Sequence, residues 1–401
     1  MSRTGLTKPE SDPRLSDHLS WAMLLRVFPP DIVDQAIADA GKVEQRTRLL
    51  PAQLVAYYVM GLALFSQSSY EEVMEMLLHG RSWAAGQAPS GPVPTKAALS
   101  KARARLGAEP LELLFARVAV PMAEPTGPVD DVEVDAAFYR SWRLMSFDRA
   151  CLDVPDTAAN DAGFGRPEDE STRPHPLPQV QVVGLTETGT RTIVEAALGS
   201  VHEPRQALAA RLLPALSAGA LVLAGPLLFT PDIWAAAAAT GADLLWGLHP
   251  EVPVTLDERH ADGSSTGRID TGDGVPLPVR VIEWPGPTAD HTADHTAGPT
   301  ADHAGGLAPL RLATTIVDPA LAPASDLTAI YGQRGTIQSA FDELRAHHQL
   351  PRVVLRSKTP DGVRQEVYGY LCVHYAIRHL LYGVPWPGDR SGAAPHGSVN
   401  P

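Results

Sequence analysis

Cysteine is nearly missing from this chain: Cys151 and Cys372 are the only two among 401 residues. They lie far apart and match no metal or redox spacing, which excludes a disulfide framework, a thiolate metal cluster and a CxxC redox centre. Both are expected to be buried or neutral thiols. Unbroken apolar runs are missing as well. The most apolar stretch, Ala220 to Trp246, is interrupted by Pro226, Pro231, Asp232 and Asp243, so it does not read as a membrane span, and no signal-peptide pattern opens the chain. The expectation is a cytoplasmic protein with no membrane partner. Positive charge is in deficit: 33 Lys and Arg stand against 46 Asp and Glu, giving a net charge of −13. Phosphate neutralisation supplies most of the affinity of a protein that grips duplex DNA, so this balance speaks against extensive DNA wrapping while leaving room for a local basic patch.

What is present suits a globular protein of two or three domains, with 44% hydrophobic and 20% charged residues. Residues 1–17 read as a flexible tail. From 18 to 125 the pattern is helical: Trp21, Leu24, Leu25 and Phe28 form one apolar stripe, Pro51 suits the start of a helix to Leu64, and Ser69 with Glu72 makes a capping box. Thr95 to Arg105 carries four bases, Lys96, Lys101, Arg103 and Arg105, and no acid. On a helical wheel they spread over two sides, so a solvated helix and a nucleic-acid contact are both open.

A Pro-containing linker, Pro121 to Pro128, precedes a second domain over 126–384. Val132 to Phe147 reads as strand, and Val180 to Leu198 as a hairpin split at Glu187–Thr190. Ala220 to Leu223 has the short apolar run of a buried central strand, and Thr230-Pro231-Asp232 opens a helix ending at Gly241. Further strands are expected at Leu244–Leu248, Val252–Leu256, Val279–Trp284 and Leu310–Ile316. Residues 246–312 thus form a β-rich insertion containing a low-complexity loop, 285–309. That loop repeats Thr-Ala-Asp-His, a composition that packs no core and fixes no metal geometry, so a loop grown by repeat expansion is preferred to a metal site. Thr359-Pro360 opens a long helix to Leu381, and 385–401 reads as a second tail.

One more helix is expected around Tyr331. Leu327, Ile330, Ile337, Phe341 and Leu344 follow a 3.6-residue period, with Ser325 or Asp326 available to cap it. At helical spacing Tyr331, Arg334, Gln338, Phe341 and Arg345 fall within an arc of about 80°, a grouping of polar side chains that a plain core helix would not present.

The order Tyr331, Arg334, Gln338, Arg345 resembles the Tyr-Arg-Glu-Lys signature of the insertion sequence four family of DDE transposases. The likeness extends to Phe147-Asp148-Arg149, to Gly163-Phe-Gly-Arg-Pro167, to Ala239 through Trp246 and to Leu355 through Tyr368, and so to nearly the whole chain. It implies an α/β fold with a ribonuclease H-like mixed sheet and a β-rich insertion, preceded by an all-helical N-terminal domain that carries the DNA-binding bases Lys96, Lys101, Arg103 and Arg105.

By the same resemblance the three catalytic acids fall on Asp148, Gly225 and Gln338, which should meet at one end of the sheet. Two divalent ions about 3.5 to 4 Å apart need hard charged ligands, and only Asp148 offers one. Gly225 has no ligand, Gln338 is a neutral amide, Arg149 replaces the usual Gly, Gly335 the usual Trp and Arg345 the usual Lys. Asp232 and Asp342 match acids that the family carries in addition to its catalytic ones. Magnesium is therefore expected only if ordinary transposase chemistry survives; otherwise no cofactor is expected. Asp148, Arg149, Tyr331, Arg334, Gln338 and Arg345 are the candidate catalytic groups, and Gly225, Pro226, Leu227 and Leu228 the candidate pocket wall. Three readings follow: a domesticated or relict DNA-binding protein that has lost strand transfer, a metal-independent enzyme acting on a small-molecule substrate, and an active transposase using other ligands.

Overall fold

The computed structural model describes residues 15–46, 48–66, 68–84, 93–125, 137–167, 175–270, 276–284, 310–332 and 355–382. The Thr-Ala-Asp-His repeat and the positions of Arg334, Gln338, Asp342 and Arg345 lie outside them. The chain separates into two compact units, one reaching Val118 and resuming at Asp361, the other spanning Ala119–Pro360.

The first unit begins with six helices: α1 (Leu15–Val27), α2 (Pro30–Asp39), α3 (Ala52–Leu64), α4 (Tyr70–Ala84), α5 (Lys96–Leu106) and α6 (Glu109–Val118). Their starts follow local chemistry. Ser69 and Glu72 exchange side-chain-to-backbone hydrogen bonds of 2.8 and 3.2 Å at the head of α4, the reciprocal box that satisfies two orphan amides. Thr95 caps α5 by accepting from the Ala98 amide. In α3 the side chains from Leu54 to Ala63 are buried on every side, as befits the helix at the centre of the unit.

The second unit is built on one sheet. Its strands are β1 (Phe138–Tyr139), β2 (Trp142–Asp153), β3 (Gln179–Glu187), β4 (Thr192–Ser200), β5 (Ala220–Ala224), β6 (Asp243–Leu248), β7 (Val254–Arg259), β8 (Ser265–Ile269), β9 (Leu277–Trp284) and β10 (Leu310–Thr314). They lie in the order β4-β3-β2-β5-β6-β10-β9-β8-β7, with β1 paired to β2. The middle strands β2, β5 and β6 run parallel, and those on either side are antiparallel. The β-rich insertion is therefore a continuation of the main sheet, because β10 pairs with β6 and carries β9, β8 and β7 along with it. Short helices α7 (Ala158–Phe164), α8 (Arg205–Ala210), α9 (Pro231–Ala238) and α10 (Ala324–Gly332) complete the unit. Met145, Phe147, Val222 and Trp246 pack with α8 and α9 on one face. Leu144, Leu221, Leu223 and Leu245 pack with α10 on the other, the alternation that a pleated strand imposes.

Two buried charge clusters fix this arrangement. Glu187, fully buried, accepts from the amides of Met122 and Ala123 at 2.9 and 3.0 Å, from the Thr190 hydroxyl and from Arg143, tying the linker to the ends of β2 and β3. Arg280 on β9, also fully buried, donates to Ser264, to Asp262 and to the Ala322 carbonyl, while Asp262 accepts from the Ala324 amide at 3.0 Å. This second cluster holds the β7–β8 turn, β9 and the first residue of α10 together. Tyr139 reaches the same helix by donating to Asp326 at 2.9 Å; burial first, and the Asp326 carboxylate second, push its phenol up to about 12.

The final helix, α11 (Pro360–Leu381), returns to the first unit. Reading the sequence placed it in the second domain. Its buried face packs instead with the N-terminal helices: Gly369 backs onto Val59 of α3, Tyr368 donates to Glu112 at 3.0 Å, and Gln365 is bonded to α5. Cys372 is wholly buried on this helix and its thiol is pushed up by that burial, whereas Cys151 is half-buried. Among the described residues no helix is long and apolar enough to cross a membrane.

Candidate functional site

The carboxyl ends of β2, β5 and β6 come together at one edge of the sheet, where open α/β sheets hold their ligands. Ser146 pairs with Leu223, and Ala224 with Trp246. Continuing that register sets Asp148, Gly225 and Gly247 side by side on three neighbouring strands. Strand alternation puts all three on the face covered by α10, and Asp148 and Gly225 line one small cleft. Asp148 is half-buried and accepts from the Ser146 hydroxyl at 3.2 Å. Gly225 has φ −74° and ψ 163°, an ordinary extended conformation open to any residue, so no backbone requirement explains a glycine here.

Tyr331 reaches the same place from α10. It is buried, donates to the Ala224 carbonyl at 3.2 Å, and stands edge-on to Trp284 with ring centroids 5.1 Å apart. Gly247 makes room for it: a Cβ there would lie 2.6 Å from the Tyr331 hydroxyl and 3.1 Å from the Pro226 nitrogen. Close approach of a side chain to backbone is one of the few reasons a strand keeps a glycine.

Arg149 points to the opposite face from Asp148. Its Nε donates to Gln181, which is itself buried and bonded to the carbonyls of Ser200 and Glu203 at 3.3 and 3.0 Å. Around the strand ends Phe147, Asp148, Arg149, Val183, Arg205, Gly225, Leu227 and Leu228 enclose a cavity of about 30 Å³, room for one or two water-sized groups. Pro226–Leu228 forms a short turn whose Leu227 carbonyl accepts from Gln206 at the start of α8. Arg205 is the lining residue that sequence reasoning missed; its surroundings in the chain, His202-Glu-Pro-Arg205, carry no motif, and only the fold brings α8 to the strand ends.

A pair of divalent ions does not fit the described part of this site. Its donors are the Asp148 carboxylate and the Ser146 hydroxyl; Gly225 contributes none, and two guanidinium groups line the same cleft. Hard cations need several charged oxygens. Among the described residues no three His, Cys, Asp or Glu side chains are grouped so as to share an ion.

The four bases of α5 part company. Lys96 and Lys101 are exposed, with the Lys96 ammonium 5.3 Å from the centre of the Tyr70 ring. Arg103 is buried and donates to Gln365 at 2.9 Å and, at 3.4 Å each, to the Tyr70 hydroxyl and the Gly362 carbonyl. Arg105 is half-buried and bonded to Glu44 and to the Leu50 carbonyl at 2.8 and 2.7 Å. Both arginines are thus committed to internal partners, because the sides of α5 that they occupy face other elements of the unit.

Residues 18–116, spanning the N-terminal helices, match the family Insertion element 4 transposase N-terminal. Over 386 residues the chain is 23% identical to the transposase InsG for insertion sequence element IS4 of Escherichia coli (strain K12), covering 92% of this chain and 80% of that protein. The piggyBac transposase synaptic complex with hairpin DNA, known from cryo-electron microscopy, is similar over 93% of this chain and 78% of its own, at 9% identity and a TM-score of 0.44, a likeness too distant to bear on the fold. The chain is a transposase by descent. Its helical unit, and the extent of its match to InsG, place it in the insertion sequence four family.

Proposed function

We propose that this chain is a transposase-derived DNA-binding protein, built on a ribonuclease H-like sheet, in which two-metal strand transfer has been lost. The observation that carries the reading is the pairing of Asp148 with Gly225 at the carboxyl ends of β2 and β5. A carboxylate at position 225 would meet no backbone obstacle from its φ and would face the same side as Asp148, so the missing ligand is a matter of side-chain identity alone. The central parallel strands flanked by the antiparallel pair β3 and β4 support the ribonuclease H-like assignment. The cleft, at about 30 Å³, is small beside the 300 Å³ or more, approximately, that small-molecule sites occupy, which favours the DNA-binding reading over repurposed small-molecule catalysis.

The test has two arms. Nonspecific duplex binding is measured across a salt series, with Lys96→Glu/Lys101→Glu as the control; Arg105 is unsuitable there because its loss would also remove the Glu44 contact. Binding at about micromolar strength that weakens steeply from about 50 to about 200 mM salt, and is lost in the control, is expected; no binding at low salt overturns the reading. In the second arm the protein is incubated with DNA and Mg²⁺ or Mn²⁺, the divalent chemistry that its kinship brings into question. No cleavage or joining is expected, and metal-dependent cleavage abolished by Asp148→Ala would show that strand transfer survives.

A further inference from the structure

The charge around the strand ends is opposite in sign to that of a metal-binding crevice. Asp148 supplies one negative charge, whereas Arg149 and Arg205 line the same cleft with two positive ones. Arg149 is held in place through a chain of hydrogen bonds: its Nε donates to Gln181, and Gln181, almost wholly buried, is fixed by the Ser200 and Glu203 carbonyls. Arg205 enters from the first position of α8, and the next residue, Gln206, donates at 2.9 Å to the carbonyl of Leu227, pinning the Gly225–Leu228 turn against that helix. The result is a small, partly apolar recess into which two guanidinium groups are directed by independent elements. Guanidinium groups bind phosphate through planar, charge-assisted hydrogen bonds.

We propose that this recess, between β2, the Gly225–Leu228 turn and the start of α8, is a phosphate-binding site in which Arg149 and Arg205 contact the anion directly. The ligand chemistry is a phosphate or phosphodiester group, and its source is either a free phosphate compound or the backbone of a DNA strand. The second source rests on the DNA-binding function proposed above; the site itself does not. Asp148 repels the anion, so its role here is the reverse of a metal ligand's.

Titration of the full-length protein with inorganic phosphate, followed by calorimetry or by phosphorus NMR and with divalent ions chelated, tests the site. Saturable binding is expected, weakened about tenfold by Arg149→Gln and by Arg205→Gln, partly restored by Arg149→Lys, and strengthened by Asp148→Asn. Thermal melts of each variant show whether the fold is kept, and Arg205→Gln, on the rim of a short helix, serves if Arg149→Gln fails to fold. Absence of saturable binding, binding indifferent to both arginine variants, or binding that needs a divalent ion and is lost in Asp148→Asn would overturn the proposal. A short single-stranded oligonucleotide gives the source. Competition with phosphate, with the same sensitivity to the arginines, assigns the DNA backbone; phosphate binding without oligonucleotide competition keeps the site and assigns a free phosphate compound. Oligonucleotide binding unaffected by phosphate or by either arginine would leave the DNA-binding reading standing and remove this one.

Discussion

Arg103 and Lys101, two residues apart on α5, separate what a basic helix does inside a fold from what it does at a surface. The Arg103 guanidinium reaches Gln365, Tyr70 and the Gly362 carbonyl, while the Gln365 amide in turn donates to the carbonyls of Arg103 and Gly107 at 3.0 and 2.6 Å. Arg103→Ala would strand a buried amide oxygen, so a loss of about 2 to 3 kcal/mol is expected in denaturant unfolding. Lys101→Glu, fully in solvent, should stay within about 0.5 kcal/mol; equal effects would contradict the assignment of Arg103 to the interior. A run of bases without acids gives no sign of this difference, because charge pattern does not say which side of a helix another helix will cover. Position 225 was legible for the opposite reason. An apolar run followed by Gly-Pro locates the end of a buried strand, and the end of such a strand in an α/β sheet is where chemistry is placed. Arg205 was not legible, since α8 spans only Arg205–Ala210 and has no periodicity to reveal it.

At the scale of elements, local signals marked most starts and stops, and pairing partners escaped. The Ser69–Glu72 box, the Thr230 cap of α9 and the turn between β3 and β4 all follow from residues within a few positions of one another. That β10 would pair with β6, making the insertion part of the main sheet, depends on contacts between residues such as Thr314 and Leu245, which no local rule connects. The cluster that fixes this extension is open to a pH test. Burial would raise the Asp262 carboxyl, yet the hydrogen bonds from Ser264 and Ala324 and the charge of Arg280 outweigh it and hold the group at about 2. A folded-state value below the unfolded one of about 3.9 stabilises the protein above that pH, and the contribution is lost as pH falls toward 2. Asp262→Asn is therefore expected to be less stable than the parent at neutral pH, with the difference shrinking between about pH 4 and pH 2. A gap that stays constant through that window would mean that the Asp262 charge is not what holds the β7–β8 turn to Arg280 and α10.

At the scale of the whole chain, the helical unit is assembled from two segments separated by the entire sheet unit. The match to the N-terminal transposase family covers residues 18–116, and this segment is not the folding unit. The sequence showed α11 as a long amphipathic helix, but apolar periodicity says only that a face is buried, not against what. Val363, Val367, Leu371, Val373 and Tyr375 are each no more than 2% exposed on that helix. Each such side chain contributes about 1.5 to 3 kcal/mol when taken from water, so together they rival the whole net stability of about 5 to 15 kcal/mol typical of a domain. Removing α11 would also orphan Arg103 and expose the side of α3 against which Gly369 packs, where Val59 lies within 3.0 Å of a notional Cβ. Residues 15–118 alone are thus expected to lack a cooperative thermal transition, and the same segment joined through a Gly/Ser linker to residues 360–382 is expected to regain one. In the joined protein Arg103→Ala should lower the midpoint, because its partner Gln365 is present; in 15–118 it should have no transition to shift. A sharp melt of 15–118 with the midpoint of the joined protein would mean that α11 docks on a unit already complete without it.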